Sequence, residues 1–88
     1  MQEIEVGSIV LSIAGRDKGR FFVVYEIVDD NYITIVDGAL RKLEKAKLKK
    51  IKHVKNQNIV LERLQNKFKE GIKVYDAEVR SALKPYNG

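Results

Sequence analysis

Hydrophobic positions in this chain gather in three short runs, thin out, and then return at a different spacing. The runs are Ile9–Ala14, Phe21–Val28 and Tyr32–Val36, separated by the polar connections Gly15-Arg16-Asp17-Lys18-Gly19 and Asp29-Asp30-Asn31. Each is rich in Ile, Val, Phe or Tyr and bounded by Gly, Asp or Asn, which predicts a meander of β-strands. Asp37-Gly38-Ala39 follows the third run, and Asp-Gly is a strong hairpin signal. In the first run Ile9, Leu11 and Ile13 alternate with Val10 and Ser12, so one face is expected to be buried. The second run is apolar at nearly every position, so it is expected to lie centrally with both faces covered. Three such strands need closure or a cover. A small antiparallel barrel supplies it with two more short strands, expected near Leu40–Leu43 and Ile51–Lys55.

Residues 41–58 allow two readings. Leu48, Ile51 and Val54 recur every three residues, and Lys and Ala favour helix, so a basic amphipathic helix is one. A short strand, a basic loop and another strand is the other, and both present the same cations. The last third is helical in pattern. Val60, Leu64 and Phe68 stand at i, i+4 and i+8, with Asn58 as the expected cap and Gly71 as the stop. A second, shorter helix is expected to start with Asp76 as N-cap, to carry Glu78 in its first turn and Val79 and Leu83 as its stripe, and to end just before Pro85. The expected class is therefore α+β, mainly β with a helical tail. Residues 1–57 form the barrel, including a basic loop at 41–55, and residues 58–88 form a helical extension of the same domain.

Composition narrows the functional classes. Eighty-eight residues suit one domain with a modest core. The absence of Cys excludes disulfides and thiolate metal sites. No apolar run approaches the ~18 residues of a membrane span, so a cytoplasmic, soluble protein with no membrane partner is expected. The net charge of +5 is unevenly spread. Residues 1–40 hold three basic and seven acidic side chains, residues 41–58 eight and one, and residues 59–88 six and four. A positive field concentrated in so short a stretch is what a polyanion responds to.

Val6 to Tyr32 resembles a KOW motif, two strands joined by a loop that carries a fixed Gly amid basic residues. The closer resemblance is to the KOW-bearing large-subunit ribosomal proteins of the archaeal and eukaryotic type. It rests on Ala14-Gly15-Arg16, Gly19-Arg20, Val23–Val28 and Asp29-Asp30-Asn31-Tyr32, and continues weakly from Leu40-Arg41-Lys42 to Lys52-His53-Val54. It implies an SH3-like barrel that binds ribosomal RNA, and it favours strand–loop–strand over helix for residues 41–58. Family members of this kind tend to be longer and more basic, and the last thirty residues here match nothing in the pattern.

Candidate chemistry lies in two basic segments. Gly15, Arg16, Lys18, Gly19 and Arg20 put three cations on a tight connection. Its glycines allow positive φ and close approach to a phosphate, and Arg can grip that phosphate with two hydrogen bonds. The plain alternative is a solvated loop whose glycines serve geometry alone. Arg41, Lys42, Lys45, Lys47, Lys49, Lys50, Lys52 and Lys55 are expected to give phosphate contacts, which supply affinity and salt dependence but little sequence choice. The alternative is a solvated face. His53 can stack on a base or simply pack, and one His without Cys makes no metal site. Asp29 and Asp30 read as turn residues and not as a paired-carboxylate site. Tyr32 is either a stacking platform or a cross-strand packing residue. No cofactor and no catalytic residues are expected. The partner expected is structured, ribosomal RNA and not DNA, with ribosomal proteins met through the C-terminal helices. The competing reading is an SH3-like protein-interaction module of the transcription or translation machinery.

Overall fold

The computed structural model describes residues 3–88. Five strands, β1 (Ser8–Ser12), β2 (Phe21–Ile27), β3 (Tyr32–Val36), β4 (Lys47–Lys50) and β5 (Val54–Val60), form one antiparallel sheet in the order β4-β3-β2-β1-β5. Two helices follow, α1 (Glu62–Glu70) and α2 (Asp76–Asn87). The expected class, mainly β with a helical tail, holds.

The sheet is buried on both faces. Val10, Phe22, Val24, Ile33, Ile35 and Val54 from four strands meet on the concave side and fill a small barrel-like interior. Ile9, Val23 and Val36 point the other way, against Leu64 of α1 and Val79 and Leu83 of α2. This two-sided burial explains why β2, the middle strand, is apolar at Phe21, Phe22, Val23 and Val24 in succession. It also corrects the one-face expectation for β1. Ile9 and Val10 are both fully buried, whereas Ile13, beyond the strand, is exposed. Each apolar side chain so covered is worth about 1.5–3 kcal/mol, so the helices stabilise the barrel by closing its outer face.

Four sequence expectations shift. Leu40–Leu43 is not a strand, because Asp37 Oδ1 accepts the N–H groups of Ala39 (2.9 Å) and Arg41 (2.8 Å) and folds 37–41 into a turn. The fourth strand comes later, at Lys47–Lys50, between the short 3-10 turns Leu43–Lys45 and Ile51–His53. Residues 41–58 therefore follow the strand reading and not the helical one. Asn58 does not cap a helix: it sits inside β5 at φ 60°, where the register with β1 breaks between Ser8 and Val10. Strand β5 continues to Val60, three residues past the expected end of the barrel.

The helices differ from expectation at their ends. Asp76 is the first residue of α2, not its cap, and its Oδ1 accepts the N–H of Leu43 at 2.8 Å. Pro85 lies inside α2, where it removes one backbone donor in the last turn. Tertiary contacts beyond it offset the loss. The ring of Tyr86 lies 5.6 Å from that of Phe21, and the Asn87 amide both accepts from Phe21 N–H and donates to Phe21 C=O, each at 2.9 Å. Gly71 stops α1 in the left-handed conformation, as expected. Gly38, at φ 76°, lets α2 approach so closely that a Cβ there would collide with the Asp76 carbonyl.

Candidate nucleic-acid interface

The connection between β1 and β2 is a tight loop built on two left-handed glycines, Gly15 at φ 81° and Gly19 at φ 89°. Backbone bonds from Lys18 N–H to Gly15 C=O (3.3 Å), Arg20 N–H to Asp17 C=O (3.1 Å) and Gly19 N–H to Ser12 C=O (2.8 Å) fix its shape. No atom lies within 4 Å of where a Cβ on Gly19 would stand, so its glycine serves φ and not close packing.

Three contacts bring the basic segment 41–55 to this loop. Lys49 Nζ donates to the Ala14 carbonyl at 2.7 Å. Arg41 Nη2 lies 3.0 Å from Asp17 Oδ2, and Arg41 Nε donates to the same oxygen at 3.1 Å. The Ile13 N–H donates to the His53 carbonyl at 3.0 Å, while Lys55 stands opposite Leu11 across β1 and β5. Cations separated by some thirty positions in sequence thus meet around one loop.

Those cations are not equivalent. Arg20 Nε donates to Asp37 Oδ2 at 2.5 Å, and the Asp37 side chain is fully buried. Burial by itself would raise the Asp37 pKa. The N–H groups of Arg41 and Ala39 and the Arg20 guanidinium outweigh it and hold the carboxyl below its usual 3.8. Arg41 pairs with Asp17, whose side chain is 7% exposed. Lys49 is itself buried, its stem on the concave side of β4 opposite Ile33 and its ammonium reaching the loop. Three of the fourteen candidate residues, Arg20, Arg41 and Lys49, are therefore engaged inside the fold. Sequence reasoning missed this, because the acidic partners Asp17 and Asp37 looked like ordinary turn residues.

The remaining candidates face solvent. Gly15, Arg16, Lys18, Gly19, Lys42, Lys45, Lys47, Lys50, Lys52 and Lys55 are exposed, and His53 is half-buried in the turn before β5. Among the described residues Arg16 and Lys18 make no side-chain ion pair, which leaves a guanidinium and an ammonium free on the loop. A shallow cleft joins Arg16, Lys18 and Arg20 to Leu40, Tyr86 and Asn87.

A cleft of about 790 Å³ lies elsewhere, where α1 and α2 meet. Its lining combines Val60, Leu61 and Ala82 with the charged Glu62, Arg63 and Glu78. The Lys67 ammonium, 2.7 Å away, heads the causes that hold Glu78 below its usual carboxyl range. A largely apolar lining with charges of both signs suits a protein neighbour better than a polyanion. No group of three or more metal-ligating side chains occurs among the described residues, and no helix is long and apolar enough to cross a membrane.

No family model matches the chain. It is similar to archaeal ribosomal proteins. Over 62 residues it is 31% identical to the large ribosomal subunit protein eL14 of Staphylothermus marinus, which covers 70% of this chain and 65% of that protein. It is 40% identical over 42 residues to eL14 of Methanococcus vannielii, covering 48% of this chain and 53% of the relative. With eL14 of Pyrobaculum calidifontis the identity is 50% over 32 residues, 36% of this chain and 31% of that protein. The chain thus spans from 31% to 65% of the length of these curated relatives. With the β-meander, the glycine-built loop and these matches together, the resemblance to KOW-bearing large-subunit ribosomal proteins is borne out, and the chain is similar to archaeal eL14 over part of its length.

Proposed function

We propose that this chain is a non-catalytic RNA-binding protein of the large ribosomal subunit, acting in the cytoplasm, that docks on structured ribosomal RNA with the Gly15–Arg20 loop and the lysines around it. The observation that carries this reading is the convergence of the two basic segments, through Lys49 on Ala14, Arg41 on Asp17 and His53 on Ile13. In this reading Arg16 and Lys18 on the loop, with Lys42, Lys45, Lys47, Lys50, Lys52 and Lys55 around it, contact phosphates. Arg20, Arg41 and Lys49 position the loop from within. Folded RNA is recognised largely by shape and backbone, which suits a surface of many cations and few exposed rings. Relatives named as ribosomal proteins support the same assignment. The helical segment that follows β5 belongs to the same folding unit, and the cleft between α1 and α2 faces a neighbouring ribosomal protein.

The competing reading, a protein-interaction module, draws on that same cleft. Sedimentation of native extract at low and high salt separates the two. Co-sedimentation with large subunits that is lost as salt rises supports the RNA reading. A salt-resistant association with a smaller particle contradicts it and favours an apolar protein interface.

A further inference from the structure

A second feature stands at the turn between β2 and β3, the end of β2 opposite its junction with the basic loop. Four tyrosines occur in the chain, and three have ring partners. Tyr25 meets Phe68 edge-on at 5.0 Å, Tyr86 packs on Phe21, and Lys73 Nζ lies 5.2 Å from the Tyr75 ring. Tyr32 has none among the described residues, and it is half-buried at the start of β3. It lines an open cleft of about 450 Å³ together with Asp30, Asn31, Lys50, Ile51 and Lys52. Lys50 stands directly across the sheet from Tyr32. Both Lys50 and Lys52 are exposed and make no ion pair among the described residues.

We infer that this cleft takes one unstacked nucleotide of RNA, its base against the Tyr32 ring and its phosphates at Lys50 and Lys52. The inference rests on the proposed RNA-binding function and adds to it a place where a base is held. An aromatic face with cations beside it matches the two halves of a nucleotide, since every base has a π-face and every phosphate a charge. The volume lies within the roughly 300–1,000 Å³ of small-molecule sites. The carboxylate of Asp30 and the amide of Asn31 at the rim offer partners to a base edge.

The cleft is also formed in advance. Asp29 Oδ1 accepts the N–H groups of Asn31 (2.8 Å) and Tyr32 (2.9 Å). Ile51 N–H donates to the Asn31 carbonyl at 2.8 Å and ties the hairpin to the turn after β4. Little backbone freedom is left to lose on binding, which favours affinity. Bases in an A-form duplex are stacked and out of reach, so the nucleotide comes from a bulge, loop or end.

The test is fluorescence anisotropy with deproteinised large-subunit ribosomal RNA, an adenosine octamer and an RNA duplex of similar length. The wild type is compared with Tyr32→Phe, Tyr32→Leu and the double variant Lys50→Ala with Lys52→Ala. Tyr32→Leu is expected to lose about tenfold in affinity for the octamer and for ribosomal RNA and nothing for the duplex, as removal of one stacked base predicts. Tyr32→Phe should stay within about twofold, because the ring is kept. Photo-crosslinking of the wild type should yield a nucleotide adduct on Tyr32, and this readout needs no variant to fold. If Tyr32→Leu binds the octamer and ribosomal RNA as the wild type does, or if adducts fall only on the Gly15–Arg20 loop, the cleft is not a base site and general RNA binding still stands. If the wild type binds none of the three probes, the cleft and the RNA reading both fall.

Discussion

Arg20, Arg41 and Lys49 come from the same two basic stretches as Arg16, Lys18, Lys42 and Lys47, yet their environments differ sharply. The first three are buried or half-buried, each bonded to an oxygen of the fold: Asp37, Asp17 and the Ala14 carbonyl. The others are exposed and unpaired among the described residues. Net charge counts the two sets alike. Physically, the inner set neutralises buried carboxylates and shapes a loop, where removal of one partner leaves an uncompensated charge. The outer set can release counterions when a polyanion arrives. The acidic first half of the chain is accordingly less acidic in space than in sequence, since Asp17 and Asp37 are spoken for.

The comparison breaks most visibly at Arg20. Replacing it by Ala leaves the buried Asp37 carboxylate without the cation bonded to it, and the expected loss is about 2–4 kcal/mol. Urea unfolding should show a lower midpoint at unchanged slope. A midpoint equal to the wild type would place Arg20 with the outer set. Arg41→Ala should cost less, about 1–2 kcal/mol, because Asp17 keeps some access to water.

Acid titration examines the same pair without mutation. The Asp37 pKa is lowered in the folded state, so its contribution is fully present above the unfolded value near 3.8 and fades as pH falls through the folded one. Stability should therefore drop below about pH 4, and Asp37→Asn should remove part of that drop while lowering stability at neutral pH. Equal acid profiles for the two proteins would mean that Asp37 is not the group responsible.

How much of this was legible follows from the range of the interactions. The strands β1 to β3 were readable because turn residues and apolar runs are local signals. The left-handed Gly15, Gly19 and Gly71 were readable for the same reason. Central β2 was readable because an unbroken apolar run needs cover on both sides. Lys49 was not, since nothing in Lys47-Leu48-Lys49-Lys50 marks which lysine turns inward until the register with Ile33 is known. The link from Arg20 to Asp37 spans 17 positions and the one from Arg41 to Asp17 spans 24, so only the folded sheet pairs them. Pro85 misled because a local stop signal was outweighed by distant contacts of Tyr86 and Asn87 with Phe21. The two-strand guess for 41–58 had the right type and the wrong place, because the Asp37 turn consumes residues 37–41.

The smallest effect on stability should come from the outer set. Lys45→Ala with Lys47→Ala is expected to change stability by less than about 0.5 kcal/mol, since both side chains are exposed and neither is ion-paired among the described residues. The same double variant should flatten the salt dependence of RNA binding by about one unit per contact removed. Lys49→Met should do the reverse, moving the thermal midpoint while leaving the salt slope as it is.

The central claim, that exposed cations around the Gly15–Arg20 loop bind folded RNA through its phosphates, is tested most directly by the salt dependence of the wild-type affinity. Binding of deproteinised large-subunit ribosomal RNA is measured across a series of salt concentrations, and log K is plotted against log salt. With about five phosphates neutralised, the account predicts a slope near −3 to −5. A slope near −1 would contradict it.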